Sequence, residues 1–260
     1  MSKKKSAAEP VEYIDSQAFD AAKEKIIGKS HNDKGIGTLS EKTLHAVLKM
    51  YYEPDEDNHE VAIDGYFADI YNEHGIIEIQ TRQLNKLRDK LSVFLNEYQV
   101  RVVYPMPYEK YLSWIEPETG DITSRRKSPK RCSVYDAMFE LYKIKAFLKN
   151  QNLKVTLLLI DMEEYKLLNG WSYDKKRGST RYDRVPVGIR RIVKFDRIED
   201  YMQLVPADLK EDFTVKDFAM AAGVSVEASR YTLNILNYLE IVKRTGRVKN
   251  GYVYNVTEEF

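Results

Sequence analysis

The sequence predicts a mixed α/β (α+β) chain. A helix, three strands, a helix and a fourth strand form a core around a mixed central sheet, and a small helix–turn–helix domain with a closing hairpin follows. Three observations predict it. Apolar spacing is helical across "TLSEKTLHAVLKMYY", becomes strand-like in "HEVAIDGYFADIYNEHGIIEIQT", and is helical again in "QLNKLRDKLSVFLNEY". The runs "QVRVVYP" and "KVTLLLID" have the β-branched and aliphatic composition of buried strands. After Phe195 the chain changes character, with Gly223-Val224-Ser225 set between two helical patterns.

Each element follows from its residues. Residues 1–35 run from "SKKKS" to "GKSHNDKGIG" and read as a mobile arm with one short helix near residues 16–27. Neither a preceding strand nor a GK[ST] accompanies the Gly35–Gly37 stretch, which is therefore a loop and not a phosphate cradle. The core domain is expected over residues 36–197. Ser40 is a candidate N-cap, and Leu44, Val47, Leu48 and Tyr51 form the apolar stripe of a helix that ends before Pro54. Asp64-Gly65 marks a hairpin turn between the first two strands, and "GIIEIQT" is the third. Leu84, Leu87, Leu91, Phe94 and Leu95 form one stripe of the second helix.

Beyond the fourth strand, a hairpin should turn at Glu118-Thr119-Gly120-Asp121, a helix should cover about residues 134–149, and "KVTLLLID" adds a core strand. Residues 170–190 read as a basic loop. The second domain, residues 198–260, is a helix, a tight turn at Gly223, a longer helix and a Gly-tipped hairpin.

Composition limits the function classes. Forty-one Lys and Arg balance forty Asp and Glu, so no global field draws the chain to nucleic acid and local clusters must decide. A single cysteine, Cys132, excludes an internal disulfide framework and fits a reducing cytoplasm; with no histidine nearby it reads as an ordinary thiol. No stretch approaches the ~18 apolar residues a membrane span needs, and no apolar run follows the basic N-terminus as in a signal peptide. A cytoplasmic protein without a membrane partner is expected. His31, His45, His59 and His74 lack metal-ligand spacing, and His45 reads as a helix-surface residue.

The chemistry concentrates in "YFADIYNEHGIIEIQT", residues 66–81. Strand side chains alternate, so Ile77 and Ile79 face one way and Glu78 and Gln80 the other. The spacing of Asp69 and Glu78 closes a hairpin and brings two carboxylates onto neighbouring strands. Two converging carboxylates repel unless one is protonated or a cation bridges them. Magnesium or manganese, hard ions with oxygen ligands, would answer that need. The competing reading is a half-exposed strand whose Glu78 and Gln80 are simply wetted.

An acid on one strand, then E-x-K or E-x-Q on the next, inside a helix–strand–strand–strand–helix–strand order, resembles the PD-(D/E)XK nuclease superfamily. Its fold is restriction-endonuclease-like. The form "ADI…IIEIQT" is similar to an E-x-Q variant found in competence-associated relatives. The resemblance implies that Asp69 and Glu78 are catalytic acids holding Mg2+ or Mn2+, with Gln80 at the usual lysine position, placing the attacking water. It assigns Glu41 as an auxiliary acid and implies a homodimer where two strands are cut. Residues 200–260 resemble the winged-helix family, with "IVKRTGRVKNGYVYNV" as the wing.

Three basic clusters are candidate contacts for nucleic acid, DNA in the first instance: Arg125, Arg126, Lys127, Lys130 and Arg131; Lys175, Lys176, Arg177, Arg181 and Arg184; and Lys243, Arg244, Arg247 and Lys249. Tyr173 and Tyr182 add surfaces for stacking. In the second domain Ser225, Glu227, Ser229 and Arg230 open the expected recognition helix. Two functions result: a metal-dependent DNA endonuclease, or a non-catalytic DNA-binding or regulatory protein on a degenerate nuclease-like scaffold. An adaptor without a nucleic-acid partner is the third.

Overall fold

The computed structural model describes residues 14–32, 43–170, 178–249 and 251–257. Its centre is a mixed seven-stranded sheet. The chain runs α1 (Ser16–Asn32), α2 (Thr43–Tyr52), β1 (His59–Ile63), β2 (Tyr66–Asn72), β3 (Gly75–Ile79), α3 (Arg88–Phe94) and β4 (Val100–Ile115). It continues with β5 (Arg126–Lys127), α4 (Met138–Leu141), β6 (Leu153–Leu167) and β7 (Thr180–Phe195). The strand order is β1-β2-β3-β4-β6-β7, and β5 pairs with the outer part of β4. β2 is antiparallel to both β1 and β3, β3, β4 and β6 are parallel, and β7 is antiparallel to β6.

The parallel middle of the sheet explains the aliphatic runs. Parallel neighbours need crossovers, and the crossovers cover the sheet faces with helices. Val102, Leu157 and Leu159 pack on one face with Leu91 and Phe94, while Val103, Leu158 and Ile160 pack on the other with Leu44, Val47 and Leu48. The turn at Asp64-Gly65 has both residues at positive φ, 48° and 83°, as expected for a two-residue hairpin. Gly75 is required: at φ 104° an added Cβ would lie 2.4 Å from the Gln99 carbonyl oxygen.

Four expectations need correction. Residues 16–32 are one helix docked on the core, with Phe19 only 2% exposed and its ring 5.5 Å from that of Tyr51. The inward residues described on it, Phe19, Ala22 and Ile26, are too few to stand out in a charged stretch. The expected loop at 170–190 instead yields the long strand β7 from Thr180. That strand borders the sheet, carries Pro186 and Gly188, and shifts register against β6 three times, so its sequence shows no clean alternation. The fourth strand runs on through Pro105 and Pro107 to Ile115, with a register shift after Pro107. The helix over 134–149 is three short turns, with Ile144 outside helical geometry.

The C-terminal part comprises β8 (Phe213–Thr214), α5 (Val215–Ala222), α6 (Val226–Tyr238), β9 (Val242–Val248) and β10 (Gly251–Val256), with strand order β8-β10-β9. Thr214 caps α5 in a reciprocal arrangement with Asp217, and Gly223 ends it at φ 65°. Helix α6 docks onto residues 134–148. The Tyr231 ring lies 4.6 Å from that of Phe139, Lys145 Nζ donates to Asn234 Oδ1 at 2.8 Å, and Tyr238 donates to the Ala146 carbonyl at 3.3 Å. Phe213, Phe218 and Leu233 therefore belong to the same apolar cluster as Val102 and Leu157.

Candidate functional site

The site forms where β2 and β3 part. Their ladder holds Asn72↔Gly75, Tyr71↔Ile76 and Ile70↔Ile77 and stops there, while on its other edge β3 stays paired with β4 through Glu78↔Val102 and Ile79↔Val103. Asp69 and Glu78 occupy the next step of the register. The Ile79 N–H donates to Asp69 Oδ2 at 2.7 Å, so a carboxylate replaces the missing strand partner. The same oxygen meets His45 Nε2 at 3.1 Å, which joins α2 to the strand pair.

Glu78 is buried on the α3 face, its side chain 2% exposed. Lys90 of α3 donates to both its oxygens, at 3.0 and 2.9 Å, and to the Phe67 carbonyl at 2.5 Å. One ammonium thus ties α3 to β2 and β3. Buried carboxylates are tolerated when so paired.

The two acids are driven apart electrostatically. Burial, then the Asp69 charge, pushes the Glu78 carboxyl up to about 7, against the opposing pull of Lys90. Burial also acts to raise Asp69, but the hydrogen bond and charge of His45 and the Ile79 N–H hold it below its ordinary value. One acid is therefore firmly ionised while its neighbour exchanges a proton near neutrality.

Beside them lies a cleft of about 250 Å³, lined among others by His45, Gln80, Arg82, Lys86, Arg181 and Arg184. Gln80 reaches it, but its side-chain amide donates to the Arg82 carbonyl. Asp69 and Glu78 thus stand close enough to couple, as the hairpin spacing suggested, whereas the Gln80 side chain turns to the Arg82 carbonyl instead of the two acids. Glu41, Lys175, Lys176, Arg177 and Tyr173 lie outside the described residues.

His45 and Lys90 were missed. His45 is a half-buried partner of Asp69, not a helix-surface residue. A polar residue beside the stripe of α2 was its only signal. Lys90 stands in "LRDKLS" as an ordinary surface cation, and only the fold directs it to Glu78.

The remaining predicted contacts divide. Arg125 stacks 3.7 Å over Tyr111 and pairs with Glu163, and Lys127 and Arg131 both pair with Glu109. Much of that cluster is internally neutralised, with Arg126 and Lys130 exposed. Ser229 is fully buried and donates to the Ser225 carbonyl at 3.0 Å, so it offers nothing to a ligand. Ser225 is the N-cap of α6, accepting from Ala228 N–H at 3.1 Å. Arg230 is exposed, but α6 beyond it is turned inward. On the hairpin, Arg244 and Arg247 lie 4.2 and 4.6 Å from the Tyr252 ring, and Lys249 is exposed.

Among the described residues no group of three or more His, Cys, Asp or Glu stands assembled for a metal. Asp69 and Glu78 offer carboxylate oxygens. Asp69 Oδ1 accepts no hydrogen bond among the described residues, and Lys90 alone neutralises Glu78. No described helix is long and apolar enough to cross a membrane.

No solved structure matches this chain. An "Uncharacterized protein" of Treponema pallidum (strain Nichols) is 30% identical over 208 residues, spanning 77% of this chain and 79% of that protein. The family model described as "Domain of unknown function (DUF8091)" matches residues 42–196, which hold the whole central sheet and the Asp69–Glu78 site. The chain belongs to this family, DUF8091.

Proposed function

We propose that this protein is a metal-dependent endonuclease hydrolysing DNA phosphodiesters, with a PD-(D/E)XK-type core and a winged-helix domain for targeting. The observation that carries the reading is the convergence of Asp69 and Glu78 where β2 and β3 part, with the Lys90 ammonium 2.9–3.0 Å from Glu78. Gln80 is neutral and can only hydrogen-bond a water; Lys90 brings the missing positive charge from α3. Asp69 and Glu78 would hold the ion, magnesium or manganese. When bound, it lowers the pKa of a coordinated water and neutralises charge on the phosphoryl oxygens. Lys90 would then stabilise hydroxide as it forms, and His45 fixes the Asp69 carboxylate. The docking of α6 leaves Arg244, Arg247 and Lys249 on the hairpin as the better candidates for reaching the duplex.

The Lys90–Glu78 pair also favours a second reading, a non-catalytic DNA-binding protein in which lysine has replaced the ion for good. Cleavage of supercoiled plasmid and single-stranded DNA with magnesium or manganese separates the two. The nuclease reading expects cutting by the wild type and none by Asp69→Ala or Glu78→Ala. A wild type that retards DNA without cutting it supports the second.

A further inference from the structure

The cleft beside Asp69 is basic in a way that internal pairing does not explain. Behind it lies Glu164 of β6, its side chain 2% exposed. Four cations surround it: Arg181 at 3.2 Å, Lys110 and Arg184 at 3.4 Å, and Lys166 at 3.8 Å. Four cations against one carboxylate leave a surplus of three. One or two partners would satisfy a buried carboxylate; four impose mutual repulsion, which is relieved when a further anion binds.

Both arginines meet Glu164 through Nε, and among the described residues their Nη groups make no hydrogen bond. Both line the cleft, together with Arg82 and Lys86, and no carboxylate lines it among the described residues. A guanidinium anchored at Nε presents its remaining donors in a fixed fork, the geometry suited to phosphate oxygens. The cleft's volume, about 250 Å³, is below the ~300–1,000 Å³ of common ligand pockets and leaves no room for a base-paired duplex.

We propose that this cleft is a phosphate subsite for a single DNA strand, in which Arg181, Arg184 and Lys86 hold one phosphate next to the Asp69–Glu78 centre. Its identity as a strand subsite rests on the nuclease reading; its anion affinity does not. The site would make the substrate an unpaired strand or strand end, with the strand's path fixed by β7 on one side and by the turn after β3 on the other.

Binding of a 3′-fluorescein single strand of twelve nucleotides, followed by anisotropy in EDTA so that nothing is cut, tests it. Lys86→Gln and Arg181→Gln should each weaken binding about tenfold and lower the salt slope of log K by about one. Lys86 is exposed and touches nothing in the Glu164 cluster, so its variant tests the cleft with folding preserved. Unchanged affinity and slope in both variants would overturn the proposal. Calorimetry with inorganic phosphate alone separates the sources of the anion: phosphate binding without strand binding rejects the DNA assignment. A wild type that binds the strand through Lys86 and Arg181 yet never cuts it sinks only the nuclease reading. One that cuts with both variants binding normally sinks only the subsite.

Discussion

Lys90→Met isolates the electrostatics of the site. The variant keeps most of the side-chain volume and removes the ammonium that contacts both Glu78 oxygens and the Phe67 carbonyl. In the wild type the Glu78 carboxyl sits at about 7 against an ordinary 4.5, raised first by burial and then by the Asp69 charge. A group raised in the folded state contributes stability that is fully present below its unfolded value and lost as pH rises through its folded value. For Glu78 that window runs from 4.5 to about 7, and a shift of that size corresponds to about 3 kcal/mol. Removing Lys90 raises the folded value further, so the additional loss falls above neutrality at about 1.4 kcal/mol per pH unit. Breaking a buried pair by deleting one partner costs about 3–5 kcal/mol when the other stays charged.

Urea unfolding followed by circular dichroism, with EDTA present, should therefore show a strongly pH-dependent penalty. At pH 5.5, where Glu78 is protonated, the variant should lose about 1 kcal/mol from its missing hydrogen bonds. At pH 8.5 it should lose about 3 kcal/mol or more. The double variant Lys90→Met/Glu78→Gln should recover most of the difference at pH 8.5. An equal penalty at both pH values would refute the coupling of Lys90 to a buried, raised Glu78.

Two further outcomes follow from the backbone and the second sheet. Gly75→Ala should destabilise the fold by more than about 1 kcal/mol in the same urea assay, because φ is 104° and the new Cβ would sit 2.4 Å from the Gln99 carbonyl oxygen. Asp217→Ala should cost about 1 kcal/mol at pH 7 through the lost reciprocal half of the α5 capping box, the Thr214 cap on the residue-217 N–H remaining. Hydrogen bonds from Thr214 and then Lys210 hold the Asp217 carboxyl down at about 2, so its contribution is present above its unfolded value of 3.8 and lost as pH falls through 2. An acid titration of stability should accordingly be steeper in the wild type than in Asp217→Ala between those values.

How much of this was legible depended on which signals are local. The Asp64-Gly65 turn, the helical stripes of α2 and α3 and the aliphatic runs that open β4 and make up β6 are written in neighbouring residues and emerged as read, although β4 runs on well past its aliphatic part. Strand β7 was not legible, because its identity comes from a partner strand some two dozen residues away and from three register shifts. Asp69 and Glu78 were legible because their separation closes a hairpin. Lys90 and His45 were not, since each is placed by a helix packing against the sheet. Ser229 misled in the opposite sense: a serine at the start of a helix suggests a contact with phosphate, whereas its hydroxyl closes on the helix backbone. The basic clusters likewise looked alike in sequence, and only the fold shows Arg125, Lys127 and Arg131 paired with surface acids while Arg181 and Arg184 share the single buried Glu164 and line a cleft that no carboxylate lines among the described residues.

Manganese anomalous diffraction from crystals soaked at neutral pH bears most directly on Asp69 and Glu78 as an ion-holding pair. A single peak at about 2.1 Å from an oxygen of each carboxylate, with Lys90 withdrawn from Glu78, is the expected result. Lys90 still bridging both Glu78 oxygens at saturating manganese, with no peak between the two acids, would contradict it.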